Sequence, residues 1–181
     1  MTPWPGIAVW LFAVSTALLL ATAAPSEKTV MGKLPSFMAQ TLNQQPIAVP
    51  GLPAERMLAL IAFSSTQREH IEGWIQGLNL RADPSIAWMR MPVINDPGSY
   101  AARSVIETRL MRHYPTDSER ARLVPVFTDR DQFIRSAGLT GTDQVYAVVI
   151  NREGEVLARV GGEFDADKAS SLRETLRQSG L

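Results

Sequence analysis

Apolar segments of two different periods alternate along this chain, and that alternation restricts the fold more than any other feature. Residues 57–63 form an unbroken apolar run, the pattern of a strand buried on both faces. Residues 67–78 carry Ile71, Trp74, Ile75 and Leu78 at helical spacing, in a helix that Gly73 and Gly77 weaken. The next strand is expected over 86–94 (IAWMRMPVI), then a helix over 99–113 with Ala102, Val105, Ile106 and Leu110 on one face. A short strand at 124–128, a short helix at 130–137 stopped by Gly138 and a strand at 145–150 follow. Asn151-Arg152-Glu153-Gly154 is a tight-turn signature leading into a strand at 155–160. The final helix, 165–178, turns Ala169, Leu172 and Leu176 inward. Strands alternating with helices imply parallel pairing through right-handed crossovers, and the terminal hairpin adds an antiparallel pair. The fold class is therefore α/β, a mixed β-sheet flanked by helices. A doubly wound sheet shares the first half but would not end in a tight hairpin and one helix.

The segment ahead of this pattern divides in two. Residues 1–24 carry no charged side chain and end in Ala21-Thr22-Ala23-Ala24 before Pro25, which reads as a secretory signal cleaved near Ala23 or Ala24. An uncleaved membrane anchor is the alternative, because about 18 apolar residues can barely span a bilayer. Either way the domain is expected outside the cytoplasm: periplasmic, or anchored to the inner membrane and facing the periplasm. Membrane contact is then confined to residues 1–24. Residues 25–45 are polar and read as a linker that becomes ordered near Leu34-Pro35-Ser36-Phe37, leaving 46–181 as the domain. Residues 46–53, with three prolines and a glycine, are expected to be extended, a short edge strand with a turn. The formal charge is zero, from 18 basic and 18 acidic residues, which argues against a nucleic-acid partner. There is no cysteine, so no disulfide supports the core and no thiolate can act as a nucleophile.

Several segments resemble the thioredoxin superfamily in its peroxiredoxin and TlpA-like branch. Val124-Pro125-Val126-Phe127-Thr128-Asp129-Arg130-Asp131 resembles the strand and turn "vPvfxDxd" of that branch. Ala137-Gly138-Leu139-Thr140-Gly141 resembles its "aygvxg" helix exit, and the stretch from Val148 to Val156 resembles "fvIDrdGxI". The resemblance implies a thioredoxin-like sheet, and it also shows what is missing. The superfamily's Cys-x-x-Cys position reads Ser64-Ser65-Thr66-Gln67 here, and its cis-proline position falls at about Val145. Two subgroups are echoed within the superfamily. His70-Ile71-Glu72-Gly73-Trp74 and residues 145–162 are similar to the family of the mitochondrial factor that helps assemble the membrane sector of the ATP synthase. Pro97-Gly98, Arg103, Glu107, Tyr114-Pro115 and Asp129 are similar to the YtfJ-like periplasmic proteins.

The best site candidate is Ser64-Ser65-Thr66-Gln67-Arg68-Glu69-His70, where a buried strand enters a helix. Exposed N–H groups and the positive end of a helix dipole gather there, and with Arg68 and His70 they could hold a carboxylate, a phosphate or a peptide terminus. The structural reading is a capping box from Thr66 to Glu69, and the two are compatible. The candidate binding residues are thus Ser64, Ser65, Thr66, Gln67, Arg68, His70 and, from the resemblance, Val145. No catalytic residue is assigned. A serine nucleophile would need His70 as a base and an orienting acid, and the G-x-S-x-G elbow is absent. His70 and His113 lie in different elements and make a weak metal pair. Asp129 with Asp131, and Glu163 with Asp165 and Asp167, read as helix caps rather than calcium ligands. Trp88, Met89 and Met91 are read as core, with a partner-binding surface as the alternative. Arg109, Arg112, Arg120 and Arg122 are read as a solvated face.

Together these readings imply an exported thioredoxin-fold protein without oxidoreductase activity. It is expected to act as a binding or assembly factor for a protein partner, with no cofactor or metal; the resemblance to the ATP-synthase assembly family implies a membrane protein complex as the client. The alternative is an oxidoreductase relative that uses a non-thiol cofactor.

Overall fold

A computed structural model describes residues 30–178. The expected signal or anchor, residues 1–24, lies outside the described residues. A five-stranded sheet of order β5-β4-β3-β6-β7 forms the centre: β3 (Arg56–Ala62), β4 (Trp88–Asn95), β5 (Val126–Thr128), β6 (Tyr146–Asn151) and β7 (Val156–Gly161). β3 pairs with β4 in parallel, Leu58 opposite Trp88, and with β6 antiparallel, Leu58 opposite Val149. β4 and β5 are parallel, and β6 and β7 form the antiparallel hairpin. The helices are α1 (Arg68–Gly77), α2 (Tyr100–His113), the short α3 (Asp117–Arg120), α4 (Arg130–Ser136) and α5 (Ala166–Arg177). This is the mixed α/β architecture expected from the alternation of periods.

The sheet is covered on both faces, so its central strands are apolar at consecutive positions. Leu58, Leu60, Trp88, Ala147 and Val149 pack on one face against Ile71, Trp74 and Ile75 of α1 and Ala169 and Leu172 of α5. Ala59, Ile61, Met89, Met91, Val148 and Ile150 pack on the other face with Phe133 of α4. Trp88, Met89 and Met91 are therefore core residues divided between the two faces, and they do not form a docking surface. The hairpin turn closes as its sequence implies. Asn151 accepts from the N–H groups of Glu153 (3.1 Å) and Glu155 (2.9 Å), and Gly154 takes the left-handed φ of 80°.

Two features differ from expectation. The residues read as a linker, 25–45, which become ordered near Leu34 in keeping with the sequence, also carry a strand that was not expected. Leu34 and Leu42 are buried, the Leu34 N–H donates to Gly154 (2.8 Å), and β1 (Phe37–Gln40) pairs antiparallel with β2 (Pro46–Val49). Leu34 joins one face of the core and Leu42 is buried apart from the two layers, and neither makes a period, so the sequence pattern hid them. The edge strand expected within 46–53 is β2. The second difference is α2, which was expected to bury one face. None of its residues is buried, and Val105 is 59% exposed. Ile106 and Leu110 border a cavity between the helix and the sheet instead of packing into it.

Gly77 shows why α1 carries a glycine near its end. Trp74 donates through Nε1 to the Gly162 carbonyl (2.9 Å) and stacks edge-on with Phe164, ring centroids 5.3 Å apart. A Cβ at Gly77 would stand 2.4 Å from the Phe164 ring. Helix propensity alone favours alanine there by about 1 kcal/mol, but displacing a packed ring costs about 1–3 kcal/mol. Gly77→Ala is expected to lose about 1 kcal/mol in urea unfolding, and an unchanged or higher midpoint would show that Phe164 moves freely.

Candidate functional site

β3 ends at Ala62, and the chain turns through Phe63 and Ser64 into a single 3₁₀ turn (Ser65–Gln67) before α1 begins. The cap forms earlier than expected. Ser64 and Gln67 close the capping box, in place of Thr66 and Glu69, because the 3₁₀ turn precedes the helix. Ser64 Oγ accepts from the Thr66 N–H (3.3 Å), and Gln67 Oε1 accepts from the N–H groups of Phe63 (2.8 Å) and Ser64 (3.3 Å). The Gln67 amide then donates through Nε2 to the Thr142 carbonyl (2.7 Å), tying the turn to the loop that enters β6. The protein's own oxygens thus occupy the N–H groups of Phe63, Ser64, Thr66 and Gln67, most of those open to an anion at this helix start.

The expected site residues separate accordingly. Ser64, Ser65 and Arg68 line a cavity of about 220 Å³, while Thr66 and the buried Gln67 belong to the cap. His70 turns away and pairs with Glu163 (Nε2–Oε1 3.2 Å); among the described residues no hydrogen bond joins it to Ser64 or Ser65. Val145 is fully buried among Leu58, Leu60 and Trp74, so its side chain cannot line a substrate groove. Among the described residues the cis peptide is Val49–Pro50, not the bond preceding Val145. Asp129 and Asp165 cap α4 and α5, as expected. No group of three metal-ligating side chains occurs among the described residues.

The cavity lies between the Ser64–Arg68 turn, the second half of β4 and α2. Its notable wall residue is Arg90, only 4% exposed and the one polar residue between Trp88 and Ile94. Arg90 donates through Nη2 to Glu72 of α1 (3.2 Å), and its guanidinium lies 5.4 Å from the Trp88 ring and 5.2 Å from the Tyr114 ring. Glu72 also pairs with Arg81, so one carboxylate serves two guanidiniums. The hydrogen bond from Arg81, then the charges of Arg81 and Arg90, hold the Glu72 carboxyl below its ordinary range against the opposing effect of burial. Arg68 stands 3.4 Å from His113 Nδ1, and Arg109 of α2 completes the cationic part of the lining. Sequence reasoning missed Arg90 and Arg109 as site residues. The signal for Arg90 was a lone charge at an inward strand position; Arg109 differs from its basic neighbours only in the tertiary structure.

The sheet order, the helices on both faces and the terminal hairpin define a thioredoxin-like fold in a chain without cysteine. No family model and no curated protein matches the sequence. Among solved structures it is similar to a putative electron transfer protein from Aquifex aeolicus VF5, with a TM-score of 0.55 at 11% identity, covering 82% of this chain and 97% of that one. BsSco, a member of the Sco family of cytochrome c oxidase assembly proteins, matches with a TM-score of 0.54 at 13% identity over 82% and 95%. The N-terminal domain of PilB from Neisseria gonorrhoeae matches with a TM-score of 0.52 at 10% identity over 78% and 89%.

Two measurements follow from this geometry. Gln67→Ala removes three hydrogen bonds and orphans the Phe63 N–H, so it is expected to cost about 2–3 kcal/mol by denaturant unfolding. The lowered pKa of Glu72 gives stability that is complete above the ordinary carboxylate pKa and is lost as pH falls through the lower folded value. In Glu72→Gln the decline in stability below about pH 4.3 should be shallower than in the parent; an identical acid limb would show that the pair contributes nothing.

Proposed function

We propose that this protein is a redox-inactive binding factor, which uses the carboxyl edge of β3 and β4 to hold a segment of a protein partner during assembly of a membrane protein complex outside the cytoplasm. The observation that carries this reading is the turn after β3. By the superfamily resemblance this is where a cysteine pair belongs, and here it is a closed Ser64–Gln67 cap beside an arginine-lined cavity. Thiol–disulfide exchange needs a thiolate, and the sequence supplies none. A scaffold kept without that chemistry still offers a cavity with apolar walls and a few convergent polar groups, the usual form of a binding site.

Two further considerations support an assembly role. BsSco, with a similar fold, belongs to a family of cytochrome c oxidase assembly proteins. The residues around Trp74 and the β6–β7 hairpin resemble the ATP-synthase assembly family. The export signal read in residues 1–24 sets the compartment, and no described helix is long and apolar enough to cross a membrane.

The test is crosslinking in intact cells with a photoreactive residue in place of Ser65. A subunit of a membrane complex should be captured, and Arg68→Glu should abolish its capture. Capture of nothing, or capture unaffected by Arg68→Glu, would overturn the reading. The purified protein should also leave insulin unreduced in the presence of a thiol donor, and any turnover above the buffer rate would count against redox inactivity.

A further inference from the structure

We propose that the cavity beside the Ser64–Gln67 cap receives the C-terminal residue of the bound segment, its carboxylate among the arginines and its apolar side chain against the sheet and α2. This deepens the preceding reading and rests on it for the class of partner.

Charge is the first argument. Arg68, Arg90 and Arg109 line the cavity, and no aspartate or glutamate does. Arg90 is built into the wall rather than waving from the surface. One of its donors meets Glu72, which Arg81 shares, and that is the one hydrogen bond the Arg90 side chain makes among the described residues. Arg130 Nε is the one fully enclosed side-chain donor without a partner among the described residues, so the unpaired donors of Arg90 still reach open space, where a carboxylate can accept two of them side by side. Size is the second argument. A volume of about 220 Å³ falls below the usual range of about 300–1,000 Å³ for drug-sized ligands, so it suits a single residue rather than an extended molecule.

Wall chemistry then selects among carboxylates. Beyond the arginines, Ser64, Ser65 and Tyr114, the lining is apolar, including Leu60, Ile71, Ile106 and Leu110. A side-chain carboxylate of aspartate or glutamate brings almost no apolar body with it. A C-terminal leucine or phenylalanine presents a carboxylate and a large apolar group from the same Cα. It would also cover the inner face of α2, which otherwise buries none of its residues. Within the Ser64–Gln67 cap the N–H groups of Phe63, Ser64, Thr66 and Gln67 are already bonded internally, so the arginines carry most of the charge recognition.

The test is titration of the isotope-labelled full chain by NMR with N-acetyl-leucine, N-acetyl-leucine amide and 4-methylpentanoate. N-acetyl-leucine should shift the signals of Ser64, Ser65, Ile106 and Leu110 saturably, and the amide should bind about tenfold more weakly or worse, the loss expected for a charge-assisted hydrogen bond. The double variant Arg68→Gln/Arg109→Gln, at positions outside the core, should weaken N-acetyl-leucine by a similar factor with its unfolding midpoint unchanged. Arg90→Lys, which keeps the charge but loses the planar fork, should weaken it as well. No shifts with any probe, or equal binding of acid and amide, overturns the proposal. Binding of 4-methylpentanoate without N-acetyl-leucine overturns the chain-end occupant in favour of a small acid. A client still captured at Ser65 after its own C-terminus is extended overturns the proposal and leaves the binding reading standing. N-acetyl-leucine binding with no client captured in cells supports the cavity assignment while removing the partner assigned above.

Discussion

β3 is confined from four directions. It has hydrogen-bonded neighbours on both edges, β4 and β6, and a buried layer on both faces. This confinement fixes the register of the whole sheet, since slipping a residue would exchange Leu58 and Leu60 with Ala59 and Ile61 between two differently shaped layers. It also fixes where the chain must leave the sheet. Ala62 is the last residue of the strand, so the Ser64–Gln67 turn and the first turn of α1 are held at the carboxyl edge beside β4. The cavity, the cap and the Arg90 wall all derive their positions from that one strand.

The turn is also a tertiary link. Gln67 looks like a local capping residue, but its amide spans from the end of β3 to the loop before β6. Its two halves do different work: the oxygen closes the helix start, and the nitrogen fixes the distance to Thr142. A glutamate could perform the first task only. This explains a neutral amide at a place where helix electrostatics alone would favour an acid.

Most of the fold was legible because β3, β4, β6, α1 and α5 carry strong periods and the hairpin has explicit turn residues. The first strand was not legible, because Leu34 and Leu42 are buried as single residues in a polar stretch. The site was legible in part. Ser64, Ser65 and Arg68 could be placed by position alone, at a strand-to-helix junction. His70 could not, because its direction depends on Glu163 in a distant loop. Val145 failed for a different reason: it rested on a resemblance of sequence position, and here its β-branched apolar side chain is buried in the layer under α1. Arg90 was visible as a letter but not as a wall, since only pairing with Glu72 and stacking near Trp88 and Tyr114 make a charge tolerable at that depth.

α2 is held mainly at its two ends. Near its start Arg103 pairs with Asp96 (2.5 Å), and beyond its end Arg120 donates to the Tyr114 carbonyl (2.8 Å). Between those anchors it buries no residue, so the free energy needed to open it should lie well below that of the sheet. Its amides would then exchange with solvent faster than those of α1 or α5. Whatever fills the cavity would be registered as slower exchange along α2, making this helix a reporter of occupancy rather than a pillar of the fold.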